Sequence, residues 1–271
     1  MRELKLYLLI AISLGLVAGI ASDVIPYLQC GTPEPPSARV LIVDNSLNRP
    51  IYQPACQWRP LLGEVPADVV HIPSGEPIPP LGGYTHVIIS GSTASLVDPP
   101  DWVATEVALV EEARDRGLAI LGSCFGHQML VYALSGPEFV QRAASPEVGW
   151  IAVEMSGEDP LFADLPNPWH AFAWHYDEVV SPPEPWRVLG SSSICGVHVI
   201  RYGDAPIWGL QSHPETKPCT AKSLLLLDKL FFDWDSEEIC AALRQKPRDD
   251  EIIRVLMERF LAAGQRPTDP L

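Results

Sequence analysis

The apolar run Leu118-Ala119-Ile120-Leu121 passes without a spacer into Gly122-Ser123-Cys124-Phe125-Gly126-His127-Gln128, and this junction limits the folds open to the chain. The run follows Gly117 and predicts a short, buried parallel strand. Gly-x-Cys-x-Gly directly behind it predicts a nucleophile elbow, a sharp strand-to-helix turn that lifts one side chain above the sheet. Glycines flank the cysteine because such a turn crowds the backbone and leaves no room for Cβ atoms. The segment from His127 to Leu134 then opens a helix, whose N-terminal dipole favours a thiolate at Cys124. An isolated cysteine would read as a buried structural residue. The paired glycines and the preceding strand point instead to a nucleophile.

A thiol nucleophile needs a base, and the base needs an orienting group. Gly209-Leu210-Gln211-Ser212-His213-Pro214-Glu215 follows the strand-like Ile207-Trp208. His213 and Glu215 are two apart, so on extended backbone they point to the same side. Pro214 between them blocks a helix. A carboxylate at Glu215 would hold the imidazole in one tautomer and stabilise its protonated form. His-x-Glu alone would be a surface pair; behind the elbow it predicts the second half of a Cys-His-Glu triad.

The rest of the pattern fits that reading. Val40-Leu41-Ile42-Val43, Val69-Val70-His71-Ile72 and Val87-Ile88-Ile89 are apolar strands preceding Leu118–Leu121. A helix with Val103, Val107 and Val110 on one stripe lies before the elbow strand, with Asp101 as candidate N-cap and Gly117 as stop. Alternation of this kind predicts an α/β fold: a mostly parallel sheet flanked by helices, with ligands at the carboxyl ends of the strands. Cys124, Gly91 and His213 all follow apolar strands and can meet at that edge. Between Trp150 and Gln211 the strands read as short and alternating (Ile151-Ala152-Val153, Val199-Ile200-Arg201-Tyr202), an antiparallel flank.

Gly-Ser-Cys-Phe-Gly-His-Gln together with Ser-His-Pro-Glu resembles the signature pair of class I (triad-type) glutamine amidotransferases, whose fold is flavodoxin-like. Ile88-Ile89-Ser90-Gly91-Ser92 is similar to the family's strand and oxyanion loop. Trp174-His175-Tyr176-Asp177-Glu178-Val179 is similar to the His-x-Asp segment of the stand-alone guanylate-synthase-like and γ-glutamyl peptidase branch. The resemblance spans roughly Ala38 to Phe232. It implies Cys124 as nucleophile, His213 as general base then acid, and Glu215 as orienter. Backbone N–H groups of Phe125 and of the Gly91-Ser92 turn would hold the oxyanion, although many relatives have two glycines at that turn. Gln128, His175 and Asp177 are expected on the substrate side. The chemistry implied is attack of Cys124 on a γ-glutamyl carbonyl, a γ-glutamyl thioester, and release of glutamate by water, with no cofactor.

A net charge of −15 argues against nucleic-acid binding, which needs clustered Lys and Arg. No CxxC, HxxxH or HxH pairing points to a metal, and P-loop and dinucleotide signatures are absent. His127 reads as structural, His71 and His86 as ordinary fold histidines; His170 and His198 have no ligand-like spacing. Residues 1–37 read as an apolar segment and a Pro-rich linker: Arg2 and Lys5 precede an apolar run from Leu6 to Ala21, the pattern of a signal peptide or anchor. Against export, six cysteines leave five beside the nucleophile, an awkward number for disulfides, so localisation stays open between cytoplasm and export. Residues 38–232 read as the catalytic domain and 233–271 as a helical extension with a packing or dimer role. The expected function is hydrolysis of a γ-glutamyl amide bond in glutamine or a γ-glutamyl peptide. The alternatives are an ammonia-donating glutaminase that serves a separate synthetase chain, and a non-catalytic binding relative.

Overall fold

The apolar tetrapeptides build one half of a nine-stranded sheet in this computed structural model, which describes residues 38–231 and 237–263. The apolar segment and linker of residues 1–37, with Cys30, lie outside the described residues, as do 232–236 and the tail from 264. Strands β1 (Val40–Val43), β2 (Ala67–Val70), β3 (His86–Ile89), β4 (Ala119–Ser123) and β9 (Ile207–Leu210) are parallel, in the order β2-β1-β3-β4-β9. Each is a near-continuous apolar run because both faces are covered. Leu41, Val43, Val87, Ile89 and Ile120 enter the core on one face; Val40, Ile42, Ile88 and Leu121 enter the core on the other.

Helices α2 (Val103–Asp115) and α3 (Phe125–Ser135) cover the first face through Val103, Leu109, Val110, Phe125 and Met129. The expected cap at Asp101 is not used: Trp102 is the N-cap residue and makes no side-chain cap bond. Gly117 does end the helix, with φ +69°, where only glycine is unstrained. The second face is covered by α6 (Ile253–Ala263), which buries Ile253, Leu256, Met257 and Phe260. The short α1 (Pro54–Trp58) adds Trp58 to that layer.

The antiparallel flank is present but is not built of short strands. β5 (Val140–Met155) and β6 (Trp169–Val179) form a long ribbon, joined to β9 through β7 (Trp186–Ser191) and β8 (Val199–Tyr202). Pro146 and a register shift between Arg142 and Glu147 interrupt the ladder, and this irregularity hides the length of β5 from a period-2 reading. Helices α4 (Pro218–Phe231) and α5 (Glu237–Arg244) pack Ala221, Leu225, Ile239 and Ala242 against Trp150 and Phe172 of this ribbon. Among the described residues no helix is long and apolar enough to cross a membrane.

Candidate active site

β3, β4 and β9 are neighbours in the sheet, so the residues just beyond their carboxyl ends share one edge. Gly91, Cys124 and His213 occupy those positions. Cys124 has φ 51° and ψ −107°, a conformation costly for any residue with a Cβ, of the kind that accumulates at functional sites. Its N–H donates to the Leu210 carbonyl at 2.8 Å, which ties the elbow to β9. The glycine requirement has a steric cause. A Cβ on Gly122 would lie 2.4 Å from the Gly126 carbonyl oxygen, and one on Gly126 2.2 Å from that of Ile89. The elbow folds so tightly onto β3 that neither position can carry a side chain.

The structure brings Cys124, His213 and Glu215 together. His213 Nδ1 and Glu215 Oε1 are 2.9 Å apart, and the other side of the ring hydrogen-bonds Cys124. All three are buried. Burial opposes a charged imidazole. Attraction to Cys124 and Glu215, with hydrogen bonds to both, outweighs it and pushes His213 up to about 10. An imidazolium beside a sulfur is the state in which that sulfur is a nucleophile and the ring an acid. The His213 N–H donates to the Phe172 carbonyl at 2.7 Å, pinning the loop to β6. Sequence reasoning missed Ser123, whose hydroxyl donates to the same Glu215 oxygen at 2.9 Å. Its only signal was its place in the heptapeptide. Tyr52 was missed too: its hydroxyl is buried beside Gly91 and has no partner among the described residues. Burial, then the negative charge of Glu215 and Cys124, holds that phenol well above its usual range.

A cavity of about 650 Å³ opens over the sulfur. Ser92 and Phe125, expected beside the oxyanion, line it; Gly91 lies behind, against the His213 ring. Gln128, His175 and Asp177, expected on the substrate side, line it as well. Asp177 Oδ2 accepts from the Ser95 hydroxyl at 2.6 Å, and Arg142 lies 2.9 Å from Oδ1. Gln128 Nε2 donates to the Asp177 backbone carbonyl at 2.7 Å. The His175 ring nitrogens are directed away from the cavity, toward Glu147 and the Asp177 carbonyl. Phe172, Trp174, Tyr176, Ile51 and Leu224 form an apolar wall.

Sequence spacing gave no sign of the cluster behind that wall. Glu147 on β5, His175 on β6 and His198 ahead of β8 place one oxygen and two ring nitrogens within 4.8 Å, a donor set that a divalent metal could take. Their geometry is already accounted for by hydrogen bonds. Both Nε2 atoms converge on Glu147 Oε2, at 3.0 and 3.2 Å, while Oε1 accepts from Ser192. The cavity reaches neither Glu147 nor His198, so an open coordination position would have no access to substrate.

Known proteins share this combination of sequence and fold. The family model described as glutamine amidotransferase class-I matches residues 62–232. The chain is 32% identical over 151 residues to the glutamine-hydrolysing polypeptide of the GMP synthase of Saccharolobus solfataricus, covering 56% of this chain and 78% of that one. It is 38% identical over 106 residues to the corresponding polypeptide of Methanocaldococcus jannaschii, covering 39% and 55%. The chain thus spans between about half and about three-quarters of these relatives. Among solved structures, a glutamine amidotransferase of Thermotoga maritima superposes with a TM-score of 0.70 at 24% identity, covering 83% of this chain and 98% of that one. A glutamine amidotransferase of Methylobacillus flagellatus does so at 0.68 and 18%, covering 86% and 97%. These two likenesses speak to the fold.

Proposed function

Because the chain belongs to the class I glutamine amidotransferase family, we propose that it hydrolyses the side-chain amide of glutamine at Cys124 and supplies the ammonia to an acceptor site on a separate chain. The observation that carries the chemistry is the buried Cys124–His213–Glu215 array on the strained elbow. The thiolate attacks the amide carbon. Backbone donors at Phe125 and the Gly91-Ser92 turn take the developing oxyanion, a contribution of roughly 2.7–4 kcal/mol per donor in other enzymes. His213 passes its proton to the leaving nitrogen, ammonia departs, and a γ-glutamyl thioester remains. The neutral imidazole then takes a proton from water, whose oxygen attacks the thioester; glutamate leaves and the thiolate is restored. Glu215 holds the ring throughout, and Ser123 holds Glu215.

The ammonia-donor role is supported by the relatives, which are named as glutamine-hydrolysing components of GMP synthases. A second reading, hydrolysis of N-substituted γ-glutamyl amides, is favoured by the apolar wall of Phe172, Trp174 and Tyr176, which could seat a leaving amine larger than ammonia. One screen separates them: the full chain with glutamine, γ-glutamyl dipeptides and glutathione conjugates, reading released glutamate and ammonia. Slow turnover of glutamine alone, accelerated by a synthetase chain, supports the donor role; faster turnover of the peptides reverses it. In either case Cys124→Ala abolishes glutamate release, and retention of a tenth of the activity would refute the mechanism.

A further inference from the structure

The hydrogen-bond roles in the buried cluster determine where its protons sit. His175 Nδ1 lies 3.0 Å from the backbone carbonyl of Asp177, which can only accept, so this nitrogen carries a hydrogen. His175 Nε2 lies 3.0 Å from Glu147 Oε2. Burial raises the cost of charge on Glu147, but hydrogen bonds from His175, His198 and Ser192 hold it well below the usual carboxylate range, so this oxygen also only accepts. A neutral His175 would set a lone pair against a carboxylate oxygen. The contact is favourable only when both ring nitrogens are protonated. His198 needs no such charge: its Nε2–H serves Glu147 at 3.2 Å, and its Nδ1 has no partner among the described residues. Burial, the first cause, pushes His198 down and keeps it neutral.

The consequence reaches the substrate wall. The Asp177 carbonyl that accepts from His175 also accepts from Gln128 Nε2, and the Asp177 side chain is held by Ser95 and Arg142 in the cavity. On the other side of His175, the Trp174 carbonyl lies 3.6 Å from the Cys124 sulfur. We propose that Glu147 is a positioning residue of the glutamine subsite: its carboxylate keeps His175 as an imidazolium, which fixes the Asp177 carbonyl and with it Gln128 against the substrate. His198 and Ser192 hold the carboxylate from two further segments, so the wall is set from behind without touching substrate. This rests on the amidase reading of the site.

The test has one arm independent of activity. Long-range proton–nitrogen NMR of the histidine-labelled full chain near neutral pH, assigned with His175→Asn, should show both His175 ring nitrogens protonated. A single neutral tautomer overturns the proposal. In the kinetic arm, Glu147→Gln should raise KM for glutamine about tenfold while kcat changes less than about threefold, and Glu147→Asp, which keeps the charge, should recover part of the loss. Ser192→Ala, a milder change, should raise KM about threefold, so the arm survives if Glu147→Gln does not fold. Unchanged KM in Glu147→Gln, or in Ser192→Ala if that variant alone folds, overturns the proposal. So does stoichiometric zinc in the purified chain that Glu147→Gln loses, which would make the cluster a metal site. Absence of glutamine turnover in the wild type would instead count against the amidase reading, with the NMR result still deciding the charge on His175.

Discussion

Replacing Gly91 by alanine tests whether the imidazole is held in its place by the absence of one methyl group. A Cβ there would stand 2.5 Å from His213 Cε1 and 3.1 Å from the Tyr52 hydroxyl. Ordinary carbon–carbon contact is about 3.5–4.0 Å, so ring or turn must yield by about 1 Å. A displacement of that size in a catalytic array costs on the order of 100-fold in rate, about 2.7 kcal/mol in the barrier. The crowding itself should cost about 1–3 kcal/mol of stability, a loss of several degrees in Tm. Gly82→Ala is the control, since its Cβ would find no atom nearer than 3.9 Å. The assay is kcat/KM for glutamine, with the rate of Cys124 alkylation by iodoacetamide measured alongside. If the ring moves, the sulfur loses its imidazolium partner and alkylation at neutral pH slows with catalysis. If only the oxyanion turn is damaged, alkylation is unchanged. A Gly91→Ala enzyme within threefold of wild type would refute the steric argument.

The charge on His213 sets a pH limb. Its ring is pushed up to about 10, so the imidazolium persists through neutrality and kcat/KM should fall as pH rises through that value. Glu215→Gln removes one of the groups raising it, so the limb should move to lower pH, with a smaller loss at neutrality than in His213→Ala; an unmoved limb contradicts the assignment. Ser123→Ala removes a donor 2.9 Å from Glu215 Oε1 and should lower kcat several-fold with little change in KM; an equal rise in KM would place Ser123 on the substrate side instead. Deleting residues through Pro36 should leave a soluble, active protein, because the first strand begins at Val40 and Ala38 is the first buried residue described. Aggregation of that truncation would mean that the apolar face of Leu6, Leu9, Ile10 and Leu14 is part of the fold.

The parallel half of the sheet and the array at its edge are legible in the chain's own residues, because both are written in local signals. An apolar tetrapeptide is a buried strand because both its faces are covered, Gly-x-Cys-x-Gly is an elbow because the turn admits no Cβ, and His-Pro-Glu orients two side chains alike on extended backbone. What stands behind them is set by folding at long range. Glu147, His175 and His198 are separated by 28 and 23 positions and meet only through antiparallel pairing, one side of which is displaced by the irregularity at Pro146. Tyr52 reaches the site from the connection between β1 and β2, and Arg142 reaches Asp177 across the β5–β6 ribbon. No periodicity encodes such meetings, because a strand's side-chain pattern fixes which face a residue takes, while register with a distant partner fixes which residue it touches.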